Sequence, residues 1–244
     1  MGIINVTPDS FFESFPDPLV AAQKARSLEA DIIDIGGEST RPGSLPVSLE
    51  DELARVLPVL DLLQGLNLSI DTTKPEVARQ AIAKGCTIIN DVKGFEDPAM
   101  RQVAGEAEAT IVVMHSRGSP AVMQTMTVYE EGIIDHLLFW FEKRLSLLRD
   151  EGFGLDKIIL DPGIGFAKTA AQNREILREI PRLKSLGFPL LIGLSRKAFL
   201  KNSLALTLVA NTYALLQGAD ILRVHDVKET RELIDFLVNI KKNQ

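Results

Sequence analysis

Polar and ionisable side chains follow most of the short apolar runs in this 244-residue chain. The residues in these positions are Asn5, Glu38, Ser39, Thr40, Arg41, Asp71, Asn90, Asp91, His115, Asp161, Ser195, Arg196, Lys197, Arg223, His225 and Asp226. If the runs are parallel strands, these side chains meet at one end of the sheet, where carboxylates, amides and cations can bind a small polar molecule. A purely structural protein has no reason to collect such groups at one end of its strands.

Three acceptor-bearing residues, Asp71, Asn90 and Asp161, end three different runs. A lone aspartate in such a position is more often the cap of the following helix. A carboxylate accepts two parallel hydrogen bonds, and an amide both donates and accepts. Together the three residues therefore suit a ring that carries several N–H donors in one plane.

Cationic residues follow the last two runs. Lys197 comes after an almost wholly apolar run, in Gly-Leu-Ser-Arg-Lys, which favours a functional lysine over a surface one. Arg223 and His225 alternate, so in a strand they lie on the same side. Two cations at the end of the last strand suit a phosphate or diphosphate.

Other candidates are less specific. His115 is compatible with a ligand, a base or a buried structural residue, whereas His136, Trp140 and Cys86 are expected to have structural roles. The glycines of segment 161–169 match neither a phosphate-binding loop nor a dinucleotide fingerprint, and no residues have zinc-site spacing. Any metal is therefore expected to be Mg²⁺ carried with a phosphate group.

Eight β-rich runs alternate with eight helical segments. Strands are predicted at Gly2–Asn5, Asp31–Ile35, Leu68–Asp71, Ile88–Asp91, Thr110–Met114, Ile158–Asp161, Pro189–Leu194 and Ile221–Val224. Helices are predicted at Leu19–Glu29, Ser48–Leu63, Pro75–Lys84, Pro98–Glu106, Glu131–Asp150, Thr169–Leu186, Lys201–Gln217 and Lys228–Lys241. The predicted helix caps are Ser48, Thr73 and Asp97, and the predicted helix stops are Gly65, Gly85, Gly152, Gly187 and Gly218.

Alternation of strands and helices requires a parallel sheet, because each crossover returns the chain to the same end. Eight units of about 30 residues predict an α/β fold of the (β/α)8 TIM-barrel type, with a doubly wound open sheet as the competitor. No linker-like segment interrupts the pattern, so we expect one domain over residues 1–244. In a barrel, the polar strand ends converge on one mouth.

Composition restricts the class of protein. The net charge is −6, with 27 Lys+Arg against 33 Asp+Glu and no run of five like charges, which argues against nucleic acid or a membrane surface as partner. No apolar run reaches the ~18 residues of a membrane span, and no secretory signal precedes the first strand. The single cysteine excludes an internal disulfide, so a cytoplasmic protein is expected.

The residues resemble those of the dihydropteroate synthase family over nearly the whole chain. The matching segments, in family order, are residues 1–11 (MGIINVTPDSF), 31–43 (DIIDIGGESTRPG), 71–74 (DTTK), 89–91 (IND), 113–118 (VMHSRG), 161–166 (DPGIGF), 193–197 (GLSRK) and 223–226 (RVHD). The resemblance implies a (β/α)8 barrel that joins 4-aminobenzoate to (7,8-dihydropterin-6-yl)methyl diphosphate and releases diphosphate. It also implies a homodimer formed through the later helices.

The resemblance also implies roles for individual residues. The pterin is expected on Asp71, Asn90, Asp161 and Lys197, the diphosphate on Asn5, Arg223 and His225, and Mg²⁺ partly on Asn5. The aminobenzoate site is expected to be bordered by Thr40, Arg41, Pro42 and Ser195, and Met114, Phe166 and Gly193 complete the expected substrate-binding set. The expected catalytic residues are Asp71, Lys197, Arg223 and His225.

Departures from the family pattern leave two alternatives open. The segment that usually precedes the first strand is missing, the loop after Phe11 lacks the usual glycines, and Ala167 replaces a common glycine. A pterin-binding methyltransferase domain uses a similar barrel, and a non-catalytic pterin-binding paralogue could retain the same residues. The Ser-Arg-Lys and Arg-Val-His-Asp segments favour the synthase, because methyl transfer has no diphosphate to hold.

Overall fold

The computed structural model describes residues 1–7, 15, 17–39 and 43–242. Within them, eight strands run in the order in which the chain makes them. The strands are β1 (Gly2–Asn5), β2 (Ile33–Gly36), β3 (Leu68–Asp71), β4 (Cys86–Asp91), β5 (Thr110–Met114), β6 (Ile158–Asp161), β7 (Leu191–Ile192) and β8 (Ile221–Leu222). Pro189 cannot donate to a ladder, and the paired part of β7 accordingly begins after it, later than predicted.

The strands form a closed barrel. Strands β1 to β6 pair in parallel with their neighbours in sequence, and β7 pairs in parallel with β8. Parallel bridges Leu160↔Leu190 and Gly2↔Val224 then join β6 to β7 and β8 to β1. A doubly wound sheet reverses its strand order and is excluded by this sequential order. The predicted (β/α)8 barrel is confirmed.

Nine helices are described. They are α1 (Pro18–Ser27), α2 (Leu49–Leu62), α3 (Pro75–Ala83), α4 (Pro98–Glu106), α5 (Ile133–Asp150), α6 (Ala170–Arg178), α7 (Ile180–Lys184), α8 (Leu204–Leu216) and α9 (Val227–Lys242). None of the helices in this part of the chain is long and apolar enough to cross a membrane.

The predicted helix ends are mostly confirmed. Ser48 and Asp97 accept hydrogen bonds from backbone N–H groups of the first turns of α2 and α4. The predicted helix stops Gly65, Gly85, Gly152, Gly187 and Gly218 all have positive φ. The predicted cap Thr73 is wrong, because Lys74 occupies the cap position of α3 and the hydroxyl of Thr72 accepts from the Lys74 N–H.

Two helices differ from the prediction. The segment predicted as one helix over 169–186 breaks at Glu179, where the imide of Pro181 cannot continue the hydrogen-bond ladder of α6. Helix α8 begins at Leu204 rather than Lys201, because Lys201 and Asn202 have positive φ and Ser203 supplies the cap. The second change lies at the mouth of the barrel, because Asn202 lines the cavity there.

Side chains alternate between the barrel interior and the surrounding helices. Outward residues such as Ile33 and Ile35 pack with helix side chains in the larger apolar cluster. A smaller cluster, which we call the apolar plug, contains Met1, Ile88, Val112, Ile159 and Leu191, with Ile32 and Ile221 packed against it. The alternation places the plug inside the barrel, below the polar residues at the carboxyl ends of the strands.

Candidate active site

A cavity of about 750 Å³ opens at the carboxyl ends of the strands. The predicted site residues that line it are Asn5, Asp71, Asn90, Met114, Asp161, Phe166, Gly193, Ser195, Lys197, Arg223 and His225. Thr40, Arg41 and Pro42 lie outside the described residues. The barrel therefore brings side chains that are up to 220 positions apart into one mouth.

Arg223 is held between two carboxylates at the base of this cavity. Its Nε donates to Oδ2 of Asp34 at 2.6 Å, and its Nη2 donates to Oδ2 of Asp71 at 2.6 Å. Burial raises the pKa of Asp71 to about 7, although the Arg223 guanidinium acts to lower it. A small change in this environment therefore moves Asp71 between its neutral and charged forms near neutral pH.

Asp34 was not identified by the sequence analysis. It lies in β2 between Ile33 and Ile35 and is completely buried. The sequence feature that could have identified it is a charged residue inside an apolar run, because a charge is costly to bury without a partner. The same Asp34 oxygen, Oδ2, also accepts from the side-chain amide Nδ2 of Asn90 at 3.2 Å.

Asp161 shapes the loop that follows its own strand. Its Oδ1 accepts from the backbone N–H of Gly163 at 2.7 Å. Burial raises the pKa of Asp161, whereas that N–H and the positive charges of Lys197 and Arg223 lower it. One carboxylate oxygen thus fixes the loop, and the side chain remains part of the cavity wall.

Lys197 lies beside the same loop. Its ammonium is 4.7 Å from the centre of the Phe166 ring, within the range of a cation–π contact. A Cβ atom added to Gly165 would lie 3.3 Å from the Lys197 nitrogen. The glycine therefore makes room for the lysine, and Phe166 forms part of the surface that directs it into the cavity.

Hydrogen bonds cross the seam at which the barrel closes. Oγ of Ser195, after β7, accepts from the backbone N–H of His225 at 3.1 Å and lies 3.0 Å from its Nδ1. The other ring nitrogen, Nε2, lies 3.4 Å from Nδ2 of Asn5 at the end of β1. Both ring nitrogens of His225 therefore have polar neighbours at the seam.

His115 has a structural environment. It is completely buried, and its ring packs against those of Tyr129, His136 and Trp140. Burial lowers its pKa well below the ordinary value, so the ring is neutral. The structure therefore favours the third of the roles left open by the sequence, that of a buried structural residue.

Lys168 is a second residue that the sequence analysis missed. Its buried ammonium donates to the Phe166 carbonyl at 2.9 Å and lies 3.0 Å from Nδ1 of His115. Burial lowers the pKa of Lys168 to about 7. The side chain lines the cavity and joins the loop after β6 to the end of β5. The sequence feature that could have identified Lys168 is its position in a glycine-containing loop directly after a predicted strand.

Other strand-end residues stabilise loops. Asp91 accepts from the N–H groups of Lys93 and Phe95, and burial raises its pKa to about 6. Arg196 binds both carboxylate oxygens of Asp226 at 2.8 and 2.9 Å. These residues hold the walls of the mouth in place.

The comparisons with known proteins agree with this geometry. The family model of pterin-binding enzymes matches residues 1–225. A dihydropteroate synthase of Synechocystis is 44% identical, over 96% of this chain and 86% of its own length. The chain belongs to the dihydropteroate synthase family. Members of this family are transferases.

Solved dihydropteroate synthases have the same fold. The enzyme from Yersinia pestis, in complex with a sulfonamide drug, superposes with a TM-score of 0.94 at 34% identity, covering 99% of this chain and 94% of that one. The enzyme from Xanthomonas albilineans, with 4-aminobenzoic acid, has a TM-score of 0.89 at 35% identity, covering 99% and 92%. These solved synthases support both the fold and the family.

One departure from the dihydropteroate synthase pattern has a visible backbone consequence. Ala167 is buried and has φ of +50°, a region that L-residues other than glycine rarely adopt. Its carbonyl accepts from the hydroxyl of Tyr129 at 2.9 Å, which helps to hold this conformation. The loop thus keeps a glycine-like shape with an alanine in place. The unusual loop after Phe11 lies largely outside the described residues.

Proposed function

We propose that this chain condenses (7,8-dihydropterin-6-yl)methyl diphosphate with 4-aminobenzoate to give 7,8-dihydropteroate and diphosphate. The observation that carries the proposal is the single cavity in which Asp71, Asn90, Asp161 and Lys197, from four segments of the barrel, face one space. Such a set of acceptors and one cation matches the edge of a 2-amino-4-oxo pterin. Families that share this fold differ in chemistry, so these side chains support the assignment more than the barrel does.

The pterin half of the substrate is assigned to the acceptors. Asp161 receives the adjacent N–H and NH2 groups of the ring, and Lys197 donates to its oxygen and ring nitrogen. Met114 and Phe166 supply apolar surface for the ring, and Gly193 leaves space beside it, since nothing lies within 4 Å of a Cβ built there. This assignment places the reacting methylene toward Asp71.

The reaction that we propose is largely dissociative. The carbon–oxygen bond to diphosphate breaks, the methylene becomes cationic, and the arylamine nitrogen then attacks that carbon and loses a proton. An ionised Asp71 stabilises the positive charge, whereas Arg223 and His225 stabilise the negative charge on diphosphate. Water must be excluded from the cation, a role that we assign to the loops after β1 and β2.

Mg²⁺ is proposed as a companion of the diphosphate. The described residues contain no group of three histidine, cysteine or acidic side chains that could hold a metal by themselves. Mg²⁺ commonly binds through substrate phosphates and one or two protein oxygens, and the Asn5 amide at the mouth can supply such an oxygen. Bound there, the ion would neutralise charge on the leaving group.

The aminobenzoate site is proposed at Ser195, with Thr40, Arg41 and Pro42 as the other residues expected to border it. Ser195 is buried at the seam and lines the cavity. The other three residues remain predictions.

The test is turnover by the purified chain with the pterin diphosphate, labelled 4-aminobenzoate and Mg²⁺. Asp161→Ala should abolish binding of the pterin diphosphate, whereas Asp156→Ala, an exposed aspartate before the same strand, should bind and turn over normally. Near-normal pterin affinity in Asp161→Ala would exclude the assignment. Tight pterin binding by the wild-type chain without any product would indicate the non-catalytic paralogue.

A homodimer is proposed through the last two helices. The exposed face of α8 carries Leu206, Val209, Tyr213 and Leu216, spaced as one stripe, and Phe236 on the adjacent α9 is 66% exposed. Sedimentation should give a dimer for the wild type and a monomer for Val209→Asp, and a monomeric wild type would contradict the proposal.

A cytoplasmic location is proposed as well, consistent with the single buried cysteine.

A further inference from the structure

Asp34 lies inside the barrel, one step below the mouth. Its neighbours in the register of the sheet are Ile3 on β1 and Ser69 on β3. Asp34 and Ser69 are both completely buried, and Asp34 does not line the cavity. A carboxylate in this place cannot touch a substrate in the cavity, so its effect must pass through the residues that it contacts.

A single oxygen of Asp34 binds two residues of the site. Oδ2 accepts from Nε of Arg223 at 2.6 Å and from Nδ2 of Asn90 at 3.2 Å. Because a carboxylate only accepts, the NH2 group of Asn90 must face Asp34. The amide oxygen of Asn90 is then turned away from it, and within the described residues this buried oxygen has no hydrogen-bond donor.

We propose that Asp34 is a positioning residue for the pterin site, which orients the Arg223 guanidinium and fixes the Asn90 amide with its oxygen available to an N–H of the ligand. This inference rests on the proposed function. It explains why a charged residue occupies the middle of an apolar strand. The buried amide oxygen of Asn90 lacks a hydrogen-bond donor within the described residues, and an N–H group of a bound ring would supply one.

Asp34 also acts on Asp71. The negative charges of Asp34, Glu52 and Asp91 raise the pKa of Asp71 in addition to burial, and Arg223 opposes them. Replacing Asp34 by a neutral residue removes one of the negative charges that raise the pKa of Asp71, and the Arg223 guanidinium then has Asp71 as its one carboxylate partner among these two. The pKa of Asp71 should therefore fall, and a rate that requires ionised Asp71 should persist to lower pH.

The experiment compares Asp34→Leu, Asp34→Asn and Ser69→Ala. Asparagine keeps an oxygen for both donors, whereas leucine keeps the branched shape of the side chain and removes the acceptor. Ser69→Ala is the matched control, because Ser69 lies next to Asp34 in the register of the sheet. The buried hydroxyl of Ser69 has no hydrogen-bond partner within the described residues, so its removal breaks no such contact. Each variant is measured by steady-state kinetics and by calorimetric binding of pterin-6-carboxylate.

For Asp34→Leu we expect pterin-6-carboxylate affinity and kcat/KM for the pterin diphosphate to fall about 100-fold, as loss of charged hydrogen bonds implies. KM for 4-aminobenzoate should change much less. Asp34→Asn should lose about tenfold and should move the acid limb of the kcat/KM profile to lower pH. Ser69→Ala should match the wild type.

If the wild type is active and Asp34→Leu has the same pterin-6-carboxylate affinity and kcat/KM as Ser69→Ala, the proposal for Asp34 is overturned and the proposed function remains intact. Absence of turnover in the wild type would instead contradict the proposed function. If Asp34→Leu does not fold, Asp34→Asn decides alone, and an unmoved acid limb with wild-type pterin affinity would overturn the proposal.

Discussion

Replacement of Arg223 by methionine should destabilise the fold in a pH-dependent way. The guanidinium neutralises Asp34, which is completely buried, and Asp71, which is 8% exposed. Removing one partner of a buried ion pair costs about 3–5 kcal/mol, because the remaining charge is buried without compensation. For a chain of this size each kcal/mol lowers Tm by about 2–4 °C, so we expect a loss of roughly 6–20 °C at pH 8.

The loss should be smaller at pH 5.5. Arg223 lowers the pKa of Asp71, so its removal raises that pKa further above neutrality, and the protonated carboxyl carries no charge to compensate. Thermal unfolding of Arg223→Met and of Arg79→Met at both pH values tests this reasoning. Arg79 pairs with Glu106 at the surface, with exposures of 51% and 53%, and its replacement should cost at most about 1 kcal/mol. Equal Tm losses for the two variants at pH 8 would refute the reasoning.

Three further predictions concern the loop after β6. Folding lowers the pKa of Lys168 to about 7, so the folded chain loses this proton at a lower pH than the unfolded chain does. The difference in stability between wild type and Lys168→Met should therefore shift in favour of wild type between pH 7 and pH 9. A difference in Tm that does not change with pH would contradict this. Gly163→Ala should prevent correct folding, seen as lost soluble protein or lost pterin binding, because the new Cβ would lie 1.9 Å from the His115 carbonyl oxygen. Gly187→Ala, which has φ of +84° but open space, should cost only about 1–2 kcal/mol and is the control. Ala167→Gly should raise Tm by a few degrees by relieving a positive φ, whereas Ala170→Gly in α6 should lower it.

The alternation of apolar runs and helix signals predicted eight strand–helix units, but it left a doubly wound open sheet as a competitor that only the observed strand order excludes. Glycine stops and the caps Ser48 and Asp97 depend on local chemistry, so they could be located from the sequence. The cap Thr73 failed because α3 begins one residue later than a Thr73 cap requires, with Lys74 in the cap position. Strand ends were less predictable, since pairing at the seam depends on which backbone groups meet across the barrel.

The mouth of the barrel was predictable for a related reason. Polar residues that end parallel strands must converge, so Asn90, Asp161 and Arg223 could be grouped before their contacts were known. Two other residues of the site, Asp34 and Lys168, could not be predicted. Asp34 and Lys168 act through partners 189 and 53 positions away in the sequence, and local spacing carries no record of such contacts. Nor could the sequence distinguish a catalytic His115 from one packed among aromatic rings.

The charge of the buried cluster bears on the order of bond breaking. Arg223 contributes one positive charge, and Asp34 and Asp71 contribute two negative charges when both are ionised, so the cluster is net negative. In the proposed reaction the carboxylates of this cluster attract the cationic methylene, whereas Arg223 and His225 hold the diphosphate. The seam residues Ser195 and His225 lie on the same mouth but outside these ion pairs. We therefore propose that the site separates charge, with the cationic methylene near the carboxylates and the diphosphate on Arg223 and the seam residues, an arrangement that would favour departure of the diphosphate before the amine attacks.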